Sequence, residues 1–127
     1  MIRWARTALA GHRWSMLTVR IVGRAEGARL NRRWRGKPGA TNVLSFPGME
    51  LPGNGPDLLG DIVICAPVVD GEAQTQGKSR AAHWAHMVVH GVLHLLGYDH
   101  ESQAQAAVME SLEVKLLARL GVDNPYA

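Results

Sequence analysis

Four of the six histidines in this 127-residue chain are spaced so that they could act together: His83, His86, His90 and His94. At 100° per residue they fall within an arc of about 80° on one face of a helix. The other residues of this segment are mostly apolar, so we expect the helix to be buried on nearly all sides. Burying an imidazole without a partner is costly, and each histidine therefore needs a hydrogen bond or a metal ion.

His90 and His94 are one helical turn apart, and His100 follows them in the pattern H-x3-H-x5-H. Gly97 lies between the second and third histidines and allows a sharp turn that returns His100 toward the helix. Three neutral nitrogen ligands leave one position open on a tetrahedral ion, which is typical of catalytic rather than structural zinc. We therefore predict a metal site at these three histidines, in preference to three hydrogen-bonded core residues.

The spacing also matches the H-E-x-x-H-x-x-G-x-x-H signature of the metzincin peptidases, with one departure. Gly91 stands where that signature has the glutamate that acts as general base. A metal ion could still lower the pKa of a water molecule at such a site. A peptidase of that class would lack its usual proton acceptor, so a zinc metallopeptidase is the alternative function rather than the first.

Five other residues near these motifs could contribute to the site. His83 and His86 are expected to line or support it rather than bind the ion, since three ligands suffice. Asp99 either accepts an imidazole N–H or caps a turn. Asp61, in an otherwise apolar strand, is either a hydrogen-bonded structural carboxylate or a site residue, and we favour the structural role. Cys65 is expected to be a small buried hydrophobic residue rather than a fourth ligand.

Three further polar or aromatic residues have weaker claims. Ser45 has no nucleophile-elbow motif around it and is not predicted to be a nucleophile. Tyr98 could stack on a nucleobase or pack in the core or a turn. His12 has no partner that the sequence identifies, and we expect it on the surface.

The basic residues are concentrated in the N-terminal part of the chain. Residues 1–37 contain ten Lys and Arg against the single acidic residue Glu26, whereas the remaining residues have a net charge of −6. Eleven of the fourteen basic residues are Arg, whose guanidinium suits forked contacts to phosphate. This asymmetry favours a polyanion such as a nucleic acid on one side of the molecule, the alternative being solvated arginines from a GC-rich genome.

Length and composition exclude several classes of protein. The chain length predicts one domain over residues 1–127, and 46% hydrophobic residues argue against disorder. A single cysteine excludes a disulfide scaffold. No signal peptide opens the chain, and the longest apolar stretch, 84–98, is interrupted by histidines and too short to span a bilayer. We therefore expect a cytoplasmic protein with no membrane partner.

Hydrophobic periodicity and turn residues predict the order α-β-α-β-β-α-α-α. The last helix is expected to be amphipathic, with Val108, Leu112, Leu116 and Leu120 on one face. The fold class is α/β (α+β), a small central mixed sheet covered by helices, with the metal site on a long buried helix and the following loop. The predicted helices are 2–10, 25–35, 67–76, 79–96 and 102–120, the strands 16–22, 42–46 and 59–65, and 47–57 is an irregular loop.

Four segments of the chain resemble the YbeY family of bacterial endoribonucleases. The most specific is HGVLHLLGYDH at 90–100, and the others are RGK at 35–37, TNVLSFP at 41–47 and LGDIVIC at 59–65. They occur in the family's order and extend from about residue 30 to the C-terminus. The resemblance implies a zinc-dependent, single-strand-specific endoribonuclease that acts in ribosomal RNA maturation, at the 16S 3′ end, and in ribosome quality control.

The same resemblance implies His90, His94 and His100 as the ligands of one zinc ion per chain, and it gives Arg35 a catalytic role. A guanidinium there could hold a phosphate oxygen and stabilise charge developing at phosphorus. The implied partners are single-stranded or ribosomal RNA and the small ribosomal subunit with its assembly factors. Family members usually begin with a strand before the first helix, whereas this chain is expected to begin within that helix.

A third function class is a ribosome-binding module in which zinc only stabilises the fold. Removing a ligand such as His94 would then unfold the protein instead of leaving a folded, inactive one. We rank RNA hydrolysis first, the zinc metallopeptidase second and the binding module third.

Overall fold

The computed structural model describes residues 1–9, 16–48 and 58–127. The predicted order of elements and the α+β fold class are confirmed, and most boundaries lie within two residues of the predicted ones. His12 and most of the predicted loop 47–57 lie outside the described residues. The elements are α1 (Ile2–Ala8), β1 (Met16–Val22), α2 (Arg24–Arg35), β2 (Val43–Pro47), β3 (Leu58–Cys65), α3 (Ala66–Thr75), α4 (Arg80–Leu95) and α5 (Gln103–Arg119).

The three strands form one mixed sheet in the order β1-β3-β2, with β1 parallel and β2 antiparallel to the central strand. The central strand β3 is apolar on both faces because both faces are covered. Ile62 and Ile64 pack into the main core with α4, whereas Val63 and Cys65 pack into a second cluster on the opposite face. Strand β2 extends through Pro47, which an edge strand tolerates because one side needs no N–H donor.

Helix α4 lies at the centre of the molecule and contacts α1, α3, α5, β2 and β3. It begins after Ser79, whose hydroxyl accepts a hydrogen bond from the backbone N–H of Ala82 at 3.1 Å. Eleven of its sixteen residues are buried, as the sequence predicted. A helix packed on all sides is a rigid support, so the histidines on it have fixed positions.

The turn that ends α4 is built on Gly97, which has a positive φ of 102°. Its N–H donates to the carbonyl of His94 at 3.0 Å, and the N–H of Tyr98 donates to the carbonyl of Leu93 at 3.0 Å. These two bonds form a Schellman motif, in which glycine avoids the steric cost of the left-handed conformation. The chain therefore leaves α4 sharply and passes His100 back beside the helix end.

The buried face of α5 differs from the predicted one. Met109, Glu113 and Leu117 are the buried residues, whereas Val108 is 55% exposed. Leu112, Leu116 and Leu120, which the sequence placed with Val108, are only partly buried at the edge of the core. The prediction is therefore wrong for Val108, and a fully buried position of this face is taken by a carboxylate, Glu113, that hydrogen-bonds to α4.

None of the helices in the described residues is long and apolar enough to cross a membrane.

Gly60 allows strand β3 to approach strand β2 and the end of helix α4 closely. It has a φ of 150°, and a Cβ built there would stand 2.3 Å from the carbonyl oxygen of Phe46 and 2.8 Å from Cδ2 of Leu95. A backbone oxygen in a sheet cannot move away as a flexible side chain can, so a larger residue must displace β2.

Replacing Gly60 by Ala is expected to destabilise the fold by about 2 kcal/mol or more, since it adds both backbone strain and a clash. The matched control is Gly71→Ala in α3, where no atom lies within 4 Å of the added methyl group. Replacing a mid-helix glycine by alanine should stabilise by roughly 0.5–1 kcal/mol. Urea unfolding midpoints measure both, and an equal effect of the two substitutions would contradict this account of Gly60.

Candidate metal centre and its groove

Three histidine rings converge at the C-terminal end of α4. His90 and His94 lie one turn apart on the helix, and the Gly97 turn brings His100 against them. Each residue offers a ring nitrogen, and these atoms all lie within 4.8 Å of one another. The Nε2 atoms of His90 and His94 are 3.1 Å apart. The sequence prediction of this grouping is therefore matched by the geometry, and the three nitrogens can close on one ion.

The surroundings of His94 favour its neutral form. Burial lowers the pKa of His94, and the neighbouring imidazoles of His90 and His100 lower it further, because each disfavours a second positive charge nearby. A histidine binds a metal ion through the unprotonated nitrogen, so a lowered pKa keeps this ligand available at neutral pH. Three imidazoles facing one point, without a carboxylate among them, form a donor set that fits zinc.

Glu113 is the residue that orients the centre, and sequence reasoning missed it. It is only 1% exposed, and its Oε1 accepts a hydrogen bond from Nδ1 of His90 at 3.1 Å. Its Oε2 accepts from Nε2 of His86 and from the hydroxyl of Tyr126, the latter at 2.8 Å. A single buried carboxylate thus joins α5, α4 and the C-terminal residues.

Burial raises the pKa of Glu113, but the hydrogen bonds from His86 and His90 outweigh this and hold it at about 2. The carboxylate is therefore ionised and can only accept hydrogen bonds, which requires His90 to carry its proton on Nδ1. Nε2 of His90 is then the nitrogen that faces His94, as a metal ligand requires. Burial and the adjacent Glu113 raise the pKa of Tyr126, so its hydroxyl remains a donor.

Asp99, which the sequence offered as a partner for an imidazole, has the alternative role. Its Oδ1 accepts the backbone N–H of His100 at 2.7 Å and so stabilises the turn that presents this histidine. The imidazole is oriented by Glu113 instead. The sequence does contain a signal for Glu113. This carboxylate lies four residues after Met109 and four before Leu117, within an apolar stripe of α5.

His83 and His86 lie outside the three-histidine group but connect to it or to the groove beside it. His86 reaches His90 through Glu113. Nε2 of His83 lies 3.0 Å from Oε1 of Glu72, which also accepts from Nδ2 of Asn42 at 3.2 Å. His86, His90 and Glu113 are also close enough to hold an ion, but their facing atoms already hydrogen-bond to one another.

A groove of about 740 Å³ opens beside the histidines, between the end of α2, strand β2 and the end of α4. Arg35, the last residue of α2, lines this groove together with Lys37, and both side chains are exposed. The predicted catalytic arginine and the three histidines therefore face the same space, although they are 55 or more residues apart in the chain. Arg35 and Lys37 make the side of the groove opposite α4 suited to an anionic ligand.

The packing around Gly91 gives a physical reason why this position does not have the glutamate of the peptidase signature. A Cβ at this position would lie 3.0 to 3.3 Å from three side-chain carbons of Ile62 on the central strand. The carbonyl oxygen of Gly91 also accepts a hydrogen bond from the hydroxyl of Ser45 at 3.1 Å. This bond holds the Ser45 side chain in the wall of the groove. Helix α4 packs so closely on the sheet here that Ile62 would have to move to admit the Cβ of a glutamate.

The remaining candidates do not line the groove. Cys65 is buried in the second apolar cluster, against α2, as predicted. Asp61 is exposed on β3 and does not line the groove. Tyr98 packs at the edge of the main core, so the packing alternative holds for this residue.

Comparisons with known proteins agree with this architecture. The family model described as Endoribonuclease YbeY matches residues 3–121. The protein named Endoribonuclease YbeY from Alkalilimnicola ehrlichii is 57% identical over 129 positions, covering 98% of this chain and 78% of the relative. Its namesake from Methylococcus capsulatus is 56% identical over 123 positions, covering 97% and 81%. The solution structure of TM1509 from Thermotoga maritima shares the fold, with a TM-score of 0.53 and 24% identity, covering 92% of this chain and 76% of that one.

Replacing Glu113 by Gln is expected to weaken zinc binding by about 10- to 100-fold, because a neutral amide no longer fixes His90 with its proton on Nδ1. Competition with a chromophoric chelator measures the affinity. The control is Glu110→Gln, one turn earlier on α5, which removes the same charge from a side chain with no hydrogen bond to a histidine in the described part of the chain. Equal zinc affinity in the two variants would contradict the orienting role of Glu113.

Proposed function

The chain belongs to the endoribonuclease YbeY family, and on that premise we propose that it is a zinc-dependent endoribonuclease that cleaves single-stranded RNA. The observation that supports this best is the placement of Arg35 and three converging histidines along one groove. Such a site combines metal ligands with fixed positive charge, which is the combination that phosphodiester hydrolysis requires.

His90, His94 and His100 would hold the ion, and Glu113 would keep His90 in the binding orientation. When bound, zinc supplies a Lewis acid that favours ionisation of water and polarises a phosphoryl oxygen. The burial that lowers the pKa of His94 keeps this residue neutral and able to bind. Three imidazole ligands carry no charge when they bind a metal ion, so they would leave the positive charge of the ion uncompensated.

Arg35 would hold a phosphate oxygen of the substrate from the opposite rim of the groove. A guanidinium offers forked N–H donors that match the oxygens of a phosphate. Charge that develops on the phosphate in the transition state would strengthen this contact, which is the condition for a catalytic contribution. Lys37 lines the same groove and adds a second cation for the neighbouring phosphate.

The shape of the site supports the proposed preference for single-stranded RNA. The three histidines lie in a groove between two helices and a strand, and His90 and His94 are partly buried there. A single strand can bend its backbone into this recess, whereas a duplex holds its phosphates on a rigid outer surface. Helix α2 has five arginines among twelve residues, of which Arg35 lines the groove, and the positive charge of this helix suits phosphates that flank the site.

We further propose that the substrate is ribosomal RNA, with cleavage at the 16S 3′ end, and that the protein contributes to ribosome quality control in the cytoplasm. The small ribosomal subunit and its assembly factors would be its partners. Family membership supports this role, and the concentration of positive charge in residues 1–37 fits a large RNA assembly.

Replacing His94 by Ala is expected to abolish both zinc content and cleavage of a single-stranded RNA while the protein stays folded, because the main core is apolar and contains none of the three histidines. Metal analysis, circular dichroism and a gel cleavage assay on the same preparations measure the three properties. An unfolded variant would favour the binding module with structural zinc. Peptide cleavage by the wild-type protein, unaffected by competing RNA, would favour the metallopeptidase.

Replacing Arg35 by Ala is expected to lower the cleavage rate by about 100-fold or more while zinc content stays at one ion per chain, since only a transition-state contact is lost. The matched control is Arg29→Ala, which removes the same charge from the same helix at an exposed position that does not line the groove. Equal loss in both variants would mean that Arg35 acts through general charge attraction and has no role at the phosphate.

A further inference from the structure

Trp34 is an exposed aromatic side chain on the rim of the groove. It lies in the last turn of α2, next to Arg35, and 59% of its surface is exposed. Tryptophan normally buries most of its large apolar surface, so its exposure beside a functional groove suggests a binding role. The ring lines the same groove as the three histidines.

Two neighbours hold the Trp34 ring without covering it. Phe46, on strand β2, packs edge to face against it with ring centroids 6.0 Å apart and an interplanar angle of 71°. The guanidinium carbon of Arg33 lies 5.3 Å from the ring centroid. Because β2 is hydrogen-bonded to the central strand, Phe46 gives Trp34 a fixed support, and little side-chain entropy remains to be lost when a ligand binds.

The charges around Trp34 indicate what kind of ligand it would accept. Arg33, Arg35 and Lys37 flank it in the chain. The one carboxylate of α2, Glu26, lies at the opposite end of the helix and pairs with Arg20. An aromatic face within a row of cations fits a single nucleic-acid strand, in which bases stack and phosphates bind the cations.

We propose that Trp34 stacks on an unpaired nucleobase of the RNA, beside the nucleotide whose phosphate meets Arg35. This inference rests on the proposed function for the class of ligand, but its test needs only binding. The contact requires a base that is free of its neighbours and its pairing partner, so it adds to single-strand preference. Every base has a π face, so the contact tolerates any sequence.

The direct test is equilibrium binding of a labelled single-stranded oligonucleotide with 2′-O-methyl riboses, which resists cleavage, measured by fluorescence anisotropy. Trp34→Leu is expected to weaken binding about tenfold, and Trp34→Tyr should retain most of the affinity. The control is Val108→Ala, which removes an exposed apolar side chain from α5, outside the groove. The unfolding midpoints of all variants should match that of the wild type, because both Trp34 and Val108 are exposed.

A second set of oligonucleotides, each with one abasic position, identifies the contact itself. The wild-type protein should lose about tenfold in affinity at one position of the series, and Trp34→Leu should show no further loss there. Wild-type affinity for Trp34→Leu, or an equal loss at every position in both proteins, would overturn the stacking contact. Failure of the wild type to cleave unmodified RNA would overturn the proposed function and leave this binding result independent.

Discussion

The whole site depends on one buried charge. Glu113 is ionised and almost completely inaccessible to solvent, and such a group must be compensated by several donors at once. His86 and His90 on α4 and Tyr126 near the C-terminus supply them. This requirement fixes the rotation of α5, the position of the last residues and the tautomer of His90. The orientation of the metal centre is therefore a consequence of satisfying a carboxylate in the core.

A second constraint is the close contact between α4 and the central strand. Ile62 lies so close to Gly91 that a side chain would be crowded at the position where the metzincin signature has its general base. The same contact keeps the histidine end of α4 against β2, whose Ser45 and Phe46 form the groove wall. The groove thus has three histidines that could hold a metal ion on one side and the basic end of α2 on the other, an arrangement that suits an anionic ligand such as a phosphate.

Local sequence signals were sufficient to predict much of the fold and the grouping of the three histidines. The order of elements, the N-cap at Ser79 and the turn at Gly97 depend on residues within one or two turns, so periodicity and turn chemistry predict them. The convergence of His90, His94 and His100 is equally local, since a helical repeat and one glycine turn produce it. The four family motifs then assigned Arg35, which no spacing rule connects to the histidines.

Tertiary packing decided the rest, because burial depends on what a side chain meets across the fold. The periodicity of α5 is compatible with more than one buried face, and only the contact with α4 turned Glu113 inward and left Val108 exposed. Tyr98 and Trp34 are both aromatic residues near a motif, yet packing puts the first at the core edge and the second on the groove rim. The sequence by itself determined which residues are candidates for the chemistry, because their types and spacing are local, and the tertiary structure decided which residues hold them in place and what they face.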